Sequence, residues 1–388
     1  MLDPKAIAPG DKRLIVTIFG TRPETTKIAP VVQAIAADPS LRGVVVVTGQ
    51  HREQLDAALN DLEIKADYDL NLMKRDQSLG DLVAAVVQSS GELFQKIQPD
   101  MVIVHGDTGT TCGSALSAFF NRIPIAHVEA GLRSQSLKEP FPEEGNRRVV
   151  DTLSDLLFAP TKGAADHLRR EGYSDDKIVV TGNTAVDTLR LYVEKAKRTP
   201  IPGLDGVADS AKLILVTAHR RESFGDAFRQ MCSGMRRIID ENPDVEIVYP
   251  VHLNPHVREP VFEILGNNPR IHLIEPLSYL QFVGLMDRSS FIITDSGGIQ
   301  EEAPGLGKPV LVMRDRTERP EALEAGTALL VGTDAGRIAS EARRLLTDKS
   351  HYERMAKAIN PFGDGYASDR IVRAIKHFFG MNDHGDTS

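Results

Sequence analysis

The sequence predicts an α/β protein of two similar domains, each a parallel sheet covered by helices on both faces. Short, continuously apolar runs rich in Val and Ile alternate with amphipathic helical stretches, the pattern of strands buried on both sides. These runs fall into two series of about six, split at the turn-rich stretch RTPIPGLDG (198–206). Charged and imidazole side chains gather just after the runs, where open α/β sheets bind their ligands.

Taken in order, the first series is RLIVTIF (13–19), GVVVV (43–47), DMVIVHG (100–106), PIAHVEA (124–130), LLFAP (156–160) and KIVVTG (177–182). The second is KLILVTA (212–218), VEIVYPV (245–251), RIHLIE (270–275), FIITD (291–295), PVLVM (309–313) and ALLVG (328–332). The stretch DRIVRAIKHFFG (369–380) has the spacing of an amphipathic helix, and MNDHGDTS reads as a frayed tail. The domains are therefore expected at 1–200 and 201–365, followed by a helix at 366–380 and a tail at 381–388.

Composition narrows the class. With 41% hydrophobic and 26% charged residues the chain is ordinary for a globular protein, and no apolar run approaches the roughly 18 residues a membrane helix needs. The start, MLDPKAIAPGDKR, lacks the apolar core of a signal peptide. Two cysteines, Cys112 and Cys232, are too few for a disulfide framework or zinc cluster, so a cytoplasmic setting is expected. A net charge of −8, no Trp and 5% aromatics argue against nucleic acid as a partner. No HxxxH or HExxH pattern marks a metal site, and none is expected.

The turns after the strands supply Arg22, Lys27, Gln50, His51, Asp107, Glu129, Arg133, His219, Arg220, Arg221, His252, Asp295 and Ser296, which implies a polar cleft between the domains. Thr21 to Glu24 fits a capping box, with Arg22 placed just outside the helix by Pro23 and free to bind an anion there. Asp107 suits an N-cap before TGTTCGSA, although that leaves His105 and Gly106 unexplained. Glu129 ends a buried strand with no local capping role, which favours function. Glu143 and Arg147 stand four apart on one helix and could pair locally; Glu144 reads as structural. His219 sits beside two arginines, which would favour a neutral imidazole able to bind a phosphate or move a proton. Ser296, Gly297 and Gly298 open a helix directly after a strand, where backbone N–H groups can cradle an anion. Glu302, over a turn later, could accept two ribose hydroxyls; the alternative is a tight turn with a solvated Glu pair.

Together GTRPE, TGQH, VHGDT, HVEAGLRS, PFPEEGNRR, GNTAVDTL, VTAHRRESFG, YPVHLNP, TDSGGIQEEAP and RDRTERPE closely resemble, in order, the bacterial non-hydrolysing UDP-N-acetylglucosamine 2-epimerases. The resemblance spans Gly20 to about Glu321. It implies two Rossmann-like domains in the glycosyltransferase-B arrangement, with the C-terminal helix crossing back to the N-terminal domain. It also implies interconversion of UDP-GlcNAc and UDP-ManNAc through elimination of UDP and its re-addition, without nicotinamide or required metal, in a homodimer. Asp107, Glu129 and Glu143 match that family's acid/base carboxylates, and His219 its essential histidine. Arg22, Lys27 and Arg319 match nucleotide-sugar contacts, Ser296, Gly297 and Gly298 the diphosphate cradle, and Glu302 the ribose carboxylate. Leu277 and Phe282 match the uracil pocket.

Some positions depart from the pattern. Thr25 and Thr26 replace a usual Ala-Ile, Gly109 a Thr, Gly305 a Ser and Arg316 a Thr. Members activated by a second substrate molecule often read QHRQM where this chain reads QHREQ, which argues against strong activation; Gln50, His51 and His252 would form such a site. Arg316 is the one feature favouring a modified sugar such as a UDP-2,3-diacetamido uronic acid. A glycosyltransferase of the same architecture is the alternative from another enzyme class.

Overall fold

The computed structural model describes residues 12–49, 52–73, 77–134, 136–204, 207 and 211–381. The chain forms two compact units: residues up to Thr188 together with those from Phe362 onward, and Leu189–Pro361. Residues 382–388 of the expected tail lie outside the described residues.

In the first unit the strands are β1 (Arg13–Phe19), β2 (Leu41–Val47), β3 (Tyr68–Asp69), β4 (Met101–His105), β5 (Ile125–Val128), β6 (Leu156–Ala159) and β7 (Ile178–Val180). They form one parallel sheet in the order β3-β2-β1-β4-β5-β6-β7. The second unit has β8 (Lys212–Thr217), β9 (Val245–Pro250), β10 (Ile271–Ile274), β11 (Phe291–Thr294), β12 (Val310–Val312) and β13 (Ala328–Leu330). These also pair only in parallel, in the order β10-β9-β8-β11-β12-β13. Every run expected to be a strand is one. The two-residue β3 is the addition; its Tyr-Asp sequence carries no apolar run to mark it.

Burial explains the apolar runs. All seven residues of β1 are buried, as are Phe291–Thr294 of β11, because helices cover both faces of each sheet. Phe228, Met231, Met235 and Ile238 from one helix pack with Ile214, Val216, Ile247 and Ile293 to form the core of the second unit.

Each sheet has a point where strand order reverses, between β1 and β4 and between β8 and β11. The chain leaves β1 through Gly20, where a Cβ would lie 2.2 Å from Thr48 Oγ1 and 2.6 Å from Thr110 Oγ1, so only glycine fits. The expected capping box is present: Thr21 caps the helix Arg22–Ala37, and its N–H donates to Glu24 Oε2 at 2.8 Å. Arg22, however, is the first helical residue rather than lying outside. Thr21 is the residue in extended conformation, and Pro23, lacking an N–H, loses nothing in the first turn. Glu24 does more than cap. Its Oε1 accepts from Thr108 Oγ1 at 2.9 Å and Thr111 Oγ1 at 3.1 Å, tying the start of this helix to the start of the helix Gly109–Phe120.

The C-terminal helix, Ala367–Phe378, packs on the helix Arg22–Ala37 within the first unit, with Lys376 3.2 Å from Asp38. No side chain of its own caps it. The buried Asp187 does so from a distance, accepting from Ala367 N at 3.1 Å, Ser368 N at 2.7 Å and Ser368 Oγ at 2.7 Å. Replacing it with alanine strands those donors. We expect Asp187→Ala to lower stability by about 2–3 kcal/mol, measured by urea unfolding, with the loss centred on the C-terminal helix in amide exchange.

Candidate active site

At the carboxyl ends of β4 and β5 the first sheet collects acids. Asp107 follows β4 through Gly106, which adopts φ +70°, and Glu129 follows β5 with φ +72°. A positive φ at a non-glycine residue is uncommon and is held here by its surroundings. Asp107 is not the N-cap of the following helix: Thr108 takes that place, its Oγ1 accepting from Thr111 N at 3.1 Å, and leaves the Asp107 carboxylate available. Arg147 reaches both acids. Its NH2 pairs with Asp107 Oδ2, and its NH1 donates to the Glu129 carbonyl at 2.8 Å and lies 3.6 Å from Glu129 Oε1. Lys27, from the first helix, pairs with Glu129 Oε2.

Arg147 was open to a local pairing with Glu143 four residues before it; the structure turns it toward Asp107 and Glu129. Glu143 opens the helix Glu143–Leu153, and its buried Oε2 has no hydrogen-bond partner. Glu144 is structural, as read: it accepts from Ser134 N at 3.0 Å and from Arg148 Nε at 2.7 Å. Arg22 is exposed at the start of its helix.

His105 is the residue that sequence reasoning noticed and could not place. It is buried, neither ring nitrogen has a hydrogen-bond partner, and Nε2 lies 3.8 Å from Glu129 Oε2. Burial pulls its pKa down to about 4, against the opposing pull of Glu129, so the ring is neutral at pH 7. Burial works to raise the Glu129 pKa, but Lys27, His105 and Arg147 outweigh it and hold the carboxyl below the usual range. With His105 neutral at pH 7, Lys27 and Arg147 carry that effect and Glu129 is a carboxylate.

In the second unit the strand order reverses beside His219 and Ser296. The buried Asp295 organises this edge, its Oδ2 accepting from the backbone N–H groups of His219 and Arg220, each at 2.7 Å. Its Oδ1 lies 3.6 Å from His219 Nδ1. The His219 ring is half exposed and stacks on His252, with centroids 5.4 Å apart and planes at 12°. His252 is exposed, and its Nδ1 accepts from Asn254 N at 3.1 Å.

Ser296 stands at the N-cap of the helix Gly297–Glu302 without spending its hydroxyl on the cap. A Cβ built on Gly297 would lie 3.8 Å from the Arg319 guanidinium and 3.9 Å from Arg220 NH2. Two guanidinium groups therefore lie close to Gly297 at the start of this helix, an arrangement that suits an anion. Arg319 is held by the buried Glu301, so the Glu301–Glu302 pair is not simply solvated. Gln300 braces the turn, donating to Ser296 O at 3.0 Å and accepting from Thr317 Oγ1 at 2.7 Å. Glu302 is half-buried at the helix end; its charge reaches the Tyr279 hydroxyl, whose pKa burial has already raised. Leu277 and Phe282, both half-buried, flank Tyr279 in sequence. Gln50 and His51 lie outside the described residues, so of the expected second site only His252 has a described place.

Sequence reasoning did not single out Arg147 and Glu301 for the site. Both carry a weak signal, a charge one helical turn from a candidate residue, that reads equally well as a surface pair. Among the described residues, no group of His, Cys, Asp and Glu could hold a metal ion, and no helix is long and apolar enough to cross a membrane.

A family model described as UDP-N-acetylglucosamine 2-epimerase matches residues 33–376. The UDP-N-acetylglucosamine 2-epimerase of Escherichia coli K12 is 49% identical over 370 residues, covering 94% of this chain and 98% of its own. That of Bacillus subtilis 168 is 49% identical over 369 residues, covering 95% and 96%. The solved UDP-GlcNAc 2-epimerase of Neisseria meningitidis, bound to UDP-GlcNAc, is 45% identical with a TM-score of 0.87, over 94% of this chain and 100% of that one. With its full set of motifs, its two doubly wound sheets and these likenesses across nearly its whole length, the chain belongs to the UDP-N-acetylglucosamine 2-epimerase family of isomerases.

Proposed function

We propose that the protein interconverts UDP-GlcNAc and UDP-ManNAc by removing and returning the proton at C2 of the sugar. The second unit holds the nucleotide, with the diphosphate at Ser296, Gly297 and Gly298 between Arg220 and Arg319 and beside His219, the ribose at Glu302, and uracil near Leu277 and Phe282. The first unit supplies the chemistry through Asp107, Glu129 and Glu143, with Arg22 and Lys27 on the sugar-phosphate. The reading is supported chiefly by the pairing of Asp107 and Glu129 on one guanidinium at a sheet edge, with the unpartnered Oε2 of Glu143 on the same helix as that guanidinium.

The C2 proton has no neighbouring carbonyl to acidify it, so its loss must be coupled to departure of UDP from C1. A carboxylate takes the proton, the C–H pair forms the C1–C2 double bond, and the C1–O pair leaves with UDP, giving 2-acetamidoglucal. Guanidinium groups and helix N–H donors at the diphosphate stabilise the charge that develops there. Re-addition runs the same steps backwards with the proton delivered to the opposite face, and UDP is used again rather than released. The family's non-hydrolysing course follows from that recapture.

The test is incubation with UDP-GlcNAc in D₂O, followed by proton NMR. UDP-ManNAc carrying deuterium at C2 is the expected product. Free ManNAc with UDP would replace this reading with hydrolysis, and an unchanged sugar without deuterium would overturn the substrate. Gly297→Ala places a methyl group where the anion would sit, and should weaken UDP binding in calorimetry by roughly tenfold.

The buried neutral His105 also predicts a pH dependence. An unfolded histidine takes up its proton near 6.5, but His105 does so only at about 4 when folded. Between those values the unfolded chain binds more protons, so this contribution is complete above pH 6.5 and is lost as pH falls toward 4. Urea unfolding at pH 7 and 4.5 should show His105→Gln losing roughly 2–3 kcal/mol less over that interval than the wild type.

A further inference from the structure

We infer that a buried chain, His127–Asp151–Arg133, is a positioning device that keeps Asp107, Glu129 and Glu143 in register. The inference rests on the acid/base reading of those three carboxylates. They come from three different pieces of backbone: the turn after β4, the end of β5, and the first residue of the helix Glu143–Leu153. Sheet pairing fixes the first two relative to each other, since His105 is in register with Val128. The helix is not part of the sheet, so nothing in the strand ladder places Glu143.

Arg147 ties the first turns of that helix to Asp107 and Glu129, and the buried chain supplies a second link from the helix's far end. His127 lies on β5 two residues before Glu129, and its Nε2 is 2.8 Å from the carbonyl of Gly106, the residue before Asp107. A carbonyl only accepts, so Nε2 must donate. The opposite nitrogen, Nδ1, lies 2.7 Å from Oδ1 of Asp151, on the helix that Glu143 begins. Asp151 Oδ2 is 2.8 Å from Arg133 NH2 and accepts from Gly131 N at 3.4 Å, in the segment that follows Glu129. One carboxylate on the helix is thus tied, through one imidazole, to the backbone before Asp107, and directly to the backbone after Glu129. The His127 and Asp151 side chains are wholly buried, and that of Arg133 is 4% exposed. Arg133 is anchored at its outer end by Glu171, through Nε at 2.8 Å and NH2 at 2.6 Å.

A buried ionic chain is a poor source of net stability, since apolar side chains of similar volume often serve as well. What apolar packing cannot supply is direction. Hydrogen bonds at both ends of a rigid imidazole fix the turn bearing Asp107 against the helix bearing Glu143 to within a narrow range. Displacements of about 1 Å in such groups lower rates by up to about 100-fold while leaving distant binding contacts intact. His127, Asp151 and Arg133 touch no reacting atom and act through the carboxylates they orient.

The experiment compares Asp151→Asn and Arg133→Lys with the wild type in the full-length chain. Rates of C2 deuterium incorporation from D₂O and KM for UDP-GlcNAc are measured by NMR, UDP affinity by calorimetry, and Tm by calorimetry on the same samples. We expect Asp151→Asn to lower kcat by about tenfold or more at temperatures well below its Tm, with KM and UDP affinity within about twofold of wild type. Arg133→Lys keeps the charge but loses the forked geometry, and should fall between the two. A kcat within about twofold of wild type in folded Asp151→Asn protein would overturn the inference, as would an equal loss of UDP affinity, which signals general damage. Should Asp151→Asn fail to fold, Arg133→Lys decides by the same criteria. A wild type inert to C2 exchange would overturn the acid/base reading and this inference with it; an active wild type with unaffected variants overturns this inference alone.

Discussion

Two carboxylates at one sheet edge, largely removed from water, repel each other unless a cation lies between them, and Arg147 is that cation. Its guanidinium is 8% exposed, and its fork allows it to reach Asp107 with one nitrogen and Glu129 with another. An unpaired buried carboxylate costs several kcal/mol, so the rest of the local structure has to deliver Arg147 to this point. The helix Glu143–Leu153 is consequently drawn against the ends of β4 and β5, and its first residue, Glu143, comes with it. Lys27 makes the same demand of the first helix. The placement of both helices follows from balancing charge as much as from covering apolar surface.

At the corresponding edge of the second sheet the problem has the opposite sign. Arg220 and Arg319 converge near Gly297, and here the buried groups that hold the edge together are acids. Asp295 accepts two consecutive backbone N–H groups and Glu301 holds Arg319. One α/β plan, reversing strand order at the middle of each sheet, therefore makes an acid-rich edge from one set of turns and an arginine-bearing edge from another. The identity of a few residues after each strand decides which.

The sheets were legible because burial on both faces leaves unbroken apolar runs, and strand order alone was beyond reading. The capping box at Thr21 was legible because its two partners are three residues apart. Asp107 was harder: an acid before a helix reads as a cap, and only the geometry shows Thr108 taking that role. Arg147 and Glu301 were misread or passed over for a similar reason. Their true partners lie 40, 18 and 18 residues away in sequence, whereas Glu143 stood within a turn of Arg147 and Glu301 read as half of a solvated Glu pair. Short-range rules see capping, helix pairs and turns. Contacts that assemble a site are long-range, and individual residue patterns do not reveal them; here the ordered set of motifs pointed to the family when single residues could not.

Buried polar atoms without partners are costly, and most folded proteins carry few. Among the described residues such atoms include both nitrogens of His105, Oε2 of Glu143, Oδ1 of Asp295 and the hydroxyl of Tyr279. Mutual pairing within the fold would remove that cost, but it would also consume the donors and acceptors that a polar substrate needs. Their price is borne locally by dense bonding around them, as in Arg147 on Glu129 and the paired N–H groups on Asp295. Within each unit, a ligand oxygen that bonded one of these atoms would offset part of its folding cost and gain orientation in return.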